Sequence, residues 1–551
     1  MKTLSRYHRL IFVLIVLLYL LYAGIYIYKT SFTISGQRYY VLFDDAMVSM
    51  RYARNLAEGH GLVWNPGGER VEGYSNPLWV IFMAIFHLLP IPASKISLYI
   101  QTSGALLLAT NLFFVKKIAE TLTDNPLISL LVVFLTAFYI PLNNWGLQGM
   151  EVCLLTLILN IALWKMLRTL QTNTFSFWPY LLLSIGTLVR IDMAVMLVTA
   201  LIFFIIADTP HRRQHMTWGI SFLVLFLVGQ TLFRWFYYGD FLPNTFYLKM
   251  TGVPLWYRAG HGFFVFLQSI WVGNWVLFLI PFYLLVTHRD KATILLFALV
   301  AAQSFYSVYV GGDSWEDKGG TNRFISTVMP VFFVLFCYAL DKIRHALAQK
   351  DLLPPKIQDS TQASQWALAI FVFISLFSFN TLLEQDALKK WLLIKRPIFV
   401  QGTMHNTEIG LTVDKITTKQ AHVAVITAGA IPYISDRYTI DMLGKNDKRV
   451  ARGKMHIKYN LDALEYDYRP GHNKWDAKYS IGELKPDVVA QTMAGAFDED
   501  AAPYLEGNYT LVYINGDAYY LRNDSHNVLW NTVAELKDAE GKAPKPGAEE
   551  E

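Results

Sequence analysis

The 551-residue sequence is 54% hydrophobic and only 17% charged, with a formal net charge of +5. That is far too apolar for a soluble domain of this length, so a membrane is its solvent. The basic residues gather at the ends of apolar runs, which marks membrane topology and implies no nucleic-acid partner.

The first apolar run, Leu10 to Tyr28, has roughly the 20 residues needed to cross a bilayer. It follows Lys2, Arg6 and Arg9, which places the N-terminus in the cytoplasm. A cleaved signal peptide is the alternative, but the run is long, lacks a small-residue cleavage pattern and is followed by many more spans. Further runs near 77–115, 126–145, 150–167, 175–190, 192–207, 217–237, 263–286, 291–310, 324–341 and 366–383 bring the expected crossings to roughly eleven. In the first of these, Leu89-Pro90-Ile91-Pro92 interrupts the run, so one half is a candidate short or re-entrant segment. Cys153 and Cys337 lie inside apolar runs, where buried thiols are expected rather than a disulfide framework. If the spans alternate, the clusters Lys116/Lys117, Arg168, His211/Arg212/Arg213, Arg289/Lys291 and Lys342/Arg344 all fall on one side. The polar stretches 30–76, 238–262 and 311–323, and everything after about residue 385, then share the extracytoplasmic side.

The expected fold is thus an α-helical polytopic membrane domain over residues 1–384, followed by a soluble α/β domain over 385–537. In the latter, His422-Val423-Ala424-Val425-Ile426-Thr427 and Tyr509-Thr510-Leu511-Val512-Tyr513-Ile514 read as strands bounded by turn residues. Residues 538–551, rich in Ala, Lys, Pro, Gly and Glu, read as a disordered tail. No repeat period supports a solenoid.

Two stretches of the first outer loop carry most of the chemistry. From Phe43-Asp44-Asp45 to Leu56 the spacing is helical, with an Asp pair suited to a helix start. Asp44, Arg51 and Asn55 fall on one face, so that acid, base and amide stand together. Adjacent carboxylates beside an arginine suit deprotonation of an acceptor hydroxyl and binding of an anionic leaving group. The simpler alternative is that an aspartate only caps the helix. The next stretch is turn-rich and dense in polar and aromatic side chains: His60, Trp64, Asn65, Glu72, Tyr74 and Asn76, with Tyr52 just before them.

These two stretches together resemble the opening motif of bacterial C-type glycosyltransferases (GT-C), in particular the mycobacterial terminal arabinofuranosyltransferase family and its relatives. The likeness continues through Gly149-Met150-Glu151, Leu188-Val189-Arg190-Ile191-Asp192, the stretch from Arg234 through Pro243-Asn244 to Lys249, and Val310-Gly311-Gly312-Asp313 with Arg323. The resemblance implies a GT-C fold, a polyprenyl-phosphate sugar donor and a catalytic carboxylate at Asp44 or Asp45. Arg51, Lys249 and Arg323 are then expected at the donor phosphate. Tyr52, Asn55, His60, Trp64, Asn65, Glu72, Tyr74, Asn76, Glu151, Arg190, Asn244 and Asp313 are expected to line the substrate site. Ionisable residues in a membrane are functional candidates in any case, although Glu151, Arg190 and Asp192 equally suit an internal ion pair. The sequence departs from the family's pattern after Asp313, where Ser314 to Asn322 is a longer and more charged link to Arg323. In the soluble part, Ala428-Gly429-Ala430-Ile431-Pro432-Tyr433, Ile440-Asp441-Met442-Leu443-Gly444, Gly471-His472-Asn473-Lys474 and Lys485-Pro486-Asp487 resemble the relatives' C-terminal domain. His60 and His472 belong to no ligand-spaced cluster, so no metal site is expected, while assistance by a divalent cation stays open.

The expected activity is transfer of a sugar, arabinofuranose by resemblance, to a cell-envelope glycan in a bacterial inner membrane. Mannosyl, glucosyl or aminoarabinosyl donors with a lipid A or protein acceptor are the nearest alternatives. A transporter would place its charges in broken helices near the midplane and often show paired repeats. A non-catalytic assembly or adhesion protein would keep its function in Asp44→Asn.

Overall fold

A computed structural model describes residues 2–316, 322–350, 361–383, 385–457 and 468–537. The expected tail at 538–551 and residues 317–321 of the charged link lie outside the described residues. The chain divides into two compact units: Met1–Lys29 with Gln101–Gln230 and Leu255–Pro397, and Thr30–Ile100 with Thr231–Pro254 and Ile398–Glu551. Residues 30–76 therefore belong to the same unit as the C-terminal domain.

Among the described residues, seven helices are long and apolar enough to cross a membrane, and two bent pairs raise the number to nine if each pair is one span. Three shorter apolar helices, Pro77–His87, Trp178–Val189 and Met193–Ala207, account for the rest of the expected segments. The bends fall where the sequence breaks the helical ladder. Helices Pro126–Ala137 and Ile140–Leu147 meet at 52°, with Pro141 opening the second. Helices Leu255–Val272 and Trp275–Thr287 meet at 104° around Gly273 and Asn274; Asn274 has φ 71° and its side chain accepts the Val276 N–H. The interruption expected at Leu89–Pro92 separates helix Pro77–His87 from helix Ala93–Leu122.

In the first unit, small residues let helices approach: a Cβ on Gly104 would lie 2.3 Å from the Gly146 carbonyl oxygen. Buried amides are hydrogen-bonded across helices, as where Asn160 Nδ2 donates to Asn111 Oδ1 at 2.8 Å and Tyr26 donates to Asn144 Oδ1 at 2.8 Å. Both cysteines are free and buried.

In the second unit, a hairpin of β1 (Phe32–Ile34) and β2 (Gln37–Tyr39) precedes helix Asp44–Ala57. The C-terminal domain is built on β3 (His422–Val425), β4 (Tyr438–Asp441), β5 (Val488–Val489), β6 (Tyr509–Ile514) and β7 (Asp517–Arg522), in the spatial order β4-β3-β5-β7-β6. β3 runs parallel to β4 and β5, whereas β7 is antiparallel to β5 and β6. Val423, Val425, Val488 and Leu521 fill one face with helix Val400–Ile416; Ala424, Ile440 and Val489 face the helix Ala496–Leu505. This two-sided burial explains the near-continuous apolar runs of the central strands.

Candidate active site

Phe43, not an aspartate, is the N-cap of helix Asp44–Ala57, and Asp44 and Asp45 lie in its first turn. There the helix dipole favours their negative charge. The Asp44 carboxylate is half-buried. Its Oδ2 accepts the Gly429 N–H at 3.1 Å, and its Oδ1 accepts the Ala430 N–H at 2.8 Å and Asn406 Nδ2 at 3.5 Å. The approach is so close that a Cβ on Gly429 would lie 2.0 Å from the Asp44 carbonyl oxygen, so this position needs glycine. Desolvation raises the Asp44 pKa to about 6; Asp45 adds to the rise, and the two backbone amides and Lys445 oppose it. Asp45 differs: its Oδ1 pairs with Lys445 Nζ at 2.8 Å.

Close by in the same unit, burial lowers His472 to about pKa 3, so it stays neutral. Lys249 passes the turn before it, its Cε 3.0 Å from where a Cβ on Gly471 would stand.

Arg51 does not meet the expectation of a phosphate ligand. It is only 1% exposed. Nε donates to the Trp64 carbonyl at 2.6 Å, Nη2 to Asn65 Oδ1 at 2.8 Å and to the Arg437 carbonyl at 2.6 Å, and Nη1 to the Pro432 carbonyl. Four of the five guanidinium donors are thus committed to the protein. The physical reason is position: seven residues after Asp44, two helical turns deep, Arg51 faces the C-terminal domain instead of open space.

Several residues expected at the substrate make similar ties. Asn55 donates to the carbonyls of Val63 and Trp64. Asn65 exchanges hydrogen bonds with the backbone of Thr439 at 2.8 and 3.1 Å. Asn244 Nδ2 reaches the carbonyls of Gly444, Lys445 and Asp447. The Tyr52 hydroxyl lies 2.8 Å from the Val71 carbonyl and accepts the Gly73 N–H. Tyr74 and Tyr238 hydroxyls meet at 2.8 Å, Trp64 is buried under Arg51, and Asn76 accepts from Ser49 at 3.0 Å. Glu72 pairs with Arg234 at 2.8 Å, yet burial lifts its pKa to about 7. His60 is exposed.

The remaining expected residues lie in the other unit. Arg190 pairs with Glu151 and Asp192, each at 3.1 Å. Arg323 binds Asp313 with Nε and Nη2 at 2.8 and 2.6 Å and stands over the Trp145 ring. Its charge is therefore matched by a buried carboxylate. Among the described residues, no three His, Cys, Asp or Glu side chains are placed to hold a metal ion.

A family model described as a domain of unknown function (DUF8728) matches residues 398–529, and no curated protein sequence matches the chain. Solved structures do. ArnT from Cupriavidus metallidurans, bound to undecaprenyl phosphate, superposes with a TM-score of 0.52 at 12% identity, over 78% of this chain and 85% of that one. The Archaeoglobus fulgidus oligosaccharyltransferase tethered with an acceptor peptide containing the NVT sequon gives 0.54 at 12% identity, over 95% and 75%. The archaeal oligosaccharyltransferase AglB from the same organism, in complex with an inhibitory peptide and a dolichol-phosphate, gives 0.54 at 11% identity over the same shares. The chain has the GT-C fold.

Around Asp44, the structure places residues that the sequence did not single out for the site: Lys445, Asn406 and the amides of Gly429 and Ala430. The motif Ala428–Tyr433 stood out, but a contact spanning 385 residues by way of backbone N–H groups leaves no side-chain signature.

Proposed function

We propose that the chain is a membrane glycosyltransferase that moves arabinofuranose from a polyprenyl phosphate to a glycan acceptor on the extracytoplasmic face of a bacterial inner membrane. The observation that carries this reading is the Asp44 carboxylate, half-buried, held by backbone amides and brought to a pKa of about 6. A base of that pKa is largely ionised at neutral pH and still strong enough to take a proton. Asp44 removes the acceptor hydroxyl proton, the acceptor oxygen bonds to the anomeric carbon, and the bond from that carbon to the phosphate oxygen breaks. Polyprenyl phosphate leaves with the electron pair, and a single displacement inverts the anomeric centre.

Lys249, in the same unit as Asp44, is assigned to the departing phosphate. The undecaprenyl phosphate and dolichol-phosphate bound in two of the neighbouring structures support a polyprenyl donor. The motif resemblance supports arabinofuranose.

The test presents the purified full-length protein with polyprenyl-phosphoryl arabinofuranose, mannose, glucose and aminoarabinose in parallel. Transfer from the arabinofuranosyl lipid alone is expected. Transfer only from another lipid keeps the enzyme class and discards the sugar; no transfer from any of them by folded protein overturns the class.

A further inference from the structure

The Asp44 carboxylate ends a chain of hydrogen bonds whose direction is set inside the C-terminal domain. Thr427 donates both its N–H and its hydroxyl to Gln491 Oε1, at 2.9 and 2.7 Å. That fixes the Gln491 amide, so Nε2 donates to Asn406 Oδ1 at 3.3 Å. The Asn406 oxygen being filled, its Nδ2 is the end turned to Asp44 Oδ1. A reversal of either amide would set donor against donor. Asn406, Thr427, Gly429, Ala430 and Gln491 all lie within residues 398–529, the stretch matched by the domain of unknown function.

We propose that this domain positions the catalytic base: the Gly429 and Ala430 amides and the directed Asn406 side chain fix the Asp44 carboxylate and leave one lone pair of Oδ2 for the acceptor's proton. The assignment rests on the transferase reading above and gives the domain a task within it. A carboxylate has about four lone-pair sites, and three donors occupy all but one. The Gly429 and Ala430 amides lower the pKa of Asp44, and Asn406 Nδ2 donates to the same carboxylate, so weakening these donors favours the protonated form. The charged groups acting on it are Asp45, from the same turn, and Lys445, from the loop after β4. Asn406, Gln491 and Thr427 are positioning residues; none of them touches the reacting atoms in this assignment.

The experiment measures transfer against pH in proteoliposomes holding the full-length protein and the polyprenyl-phosphoryl sugar that the wild type uses. Gly429→Ala is the bluntest variant, and because its Cβ would strike Asp44 it can fail to fold. Asn406→Leu and Gln491→Leu leave the backbone alone. Asn406→Leu is expected to lower kcat about tenfold with little change in KM for the donor. The acid limb of its pH profile should move to higher pH, since a base with fewer donors ionises later. Gln491→Leu should show the same change in smaller measure. Wild-type kcat and an unmoved limb in folded Asn406→Leu overturn the proposal, and so does a lower kcat with an unmoved limb, which would make Asn406 merely structural. A wild type that transfers no sugar overturns the transferase reading itself, a different result from an active wild type beside indifferent variants.

Discussion

The charges of Arg190 and Arg323 in one unit and those of Arg51 and Asp44 in the other are met in different ways. In the unit holding most of the membrane spans, Arg190 faces Glu151 and Asp192, and Arg323 is clasped by Asp313. Both arginines have a carboxylate partner, the arrangement that lets a buried cation persist. In the unit that holds residues 30–100 and the C-terminal domain, Arg51 is met by carbonyl dipoles and Asp44 by amide dipoles. Desolvation raises the Asp44 pKa to about 6 and the amide dipoles only partly offset it, so a proton can come and go there. The contrast separates groups that hold a fold from a group that can do chemistry.

The largest expected effect breaks the contrast at its functional end. Asp44→Asn keeps the shape, removes the basic lone pair and turns an amide nitrogen against a donor; turnover in the transfer assay should fall roughly a hundred- to ten-thousandfold, far more than a modest drop in melting temperature accounts for. At the other end, Asp313→Asn removes the carboxylate charge that matches a buried guanidinium and should cost about 3–5 kcal/mol in thermal unfolding of the detergent-solubilised protein. Turnover that falls with no loss of stability would show that Asp313 serves the reaction after all.

Much of this was legible in the sequence, for identifiable reasons. Apolar length and flanking charge mark the spans, and His422–Val425 and Tyr509–Ile514 stand as strands because both signals are local. The helix at Asp44 was legible from spacing, and the Asp pair from its place at the start. What stayed hidden was partnership. Arg51, Asn55, Asn65 and Asn244 have the composition of a ligand site, but backbone carbonyls take their donors. A carbonyl or an N–H belongs to every residue and so leaves no trace in residue type. The number of crossings was blurred for a related reason, since helices such as Trp178–Val189 are apolar yet short and the two bent pairs break at loop geometry.

A smaller effect concerns Glu72, which has a raised pKa of about 7 despite its pairing with Arg234. Its folded pKa exceeds the ordinary value of 4.5, so its contribution to stability is complete below that value and is lost as the pH rises toward 7. Glu72→Gln should flatten the stability curve between those pH values in thermal melts; an unchanged slope would mean that Glu72 stays ionised throughout. Smallest is Asp45→Asn. The partly exposed pair with Lys445 is worth about 0–1 kcal/mol, and turnover should drop far less than in Asp44→Asn. A larger loss at Asp45 would exchange the roles of the two aspartates.

The most direct test of the central claim is the rate of sugar transfer at saturating donor, followed from about pH 5 to pH 8 in the wild type and in Asp44→Asn. The rate should rise with pH through a single ionisation near 6 in the wild type, and that limb should vanish along with nearly all turnover in the variant. A wild-type rate independent of pH across this range, or an Asp44→Asn protein that keeps both the rate and the limb, would contradict the assignment of Asp44 as the base.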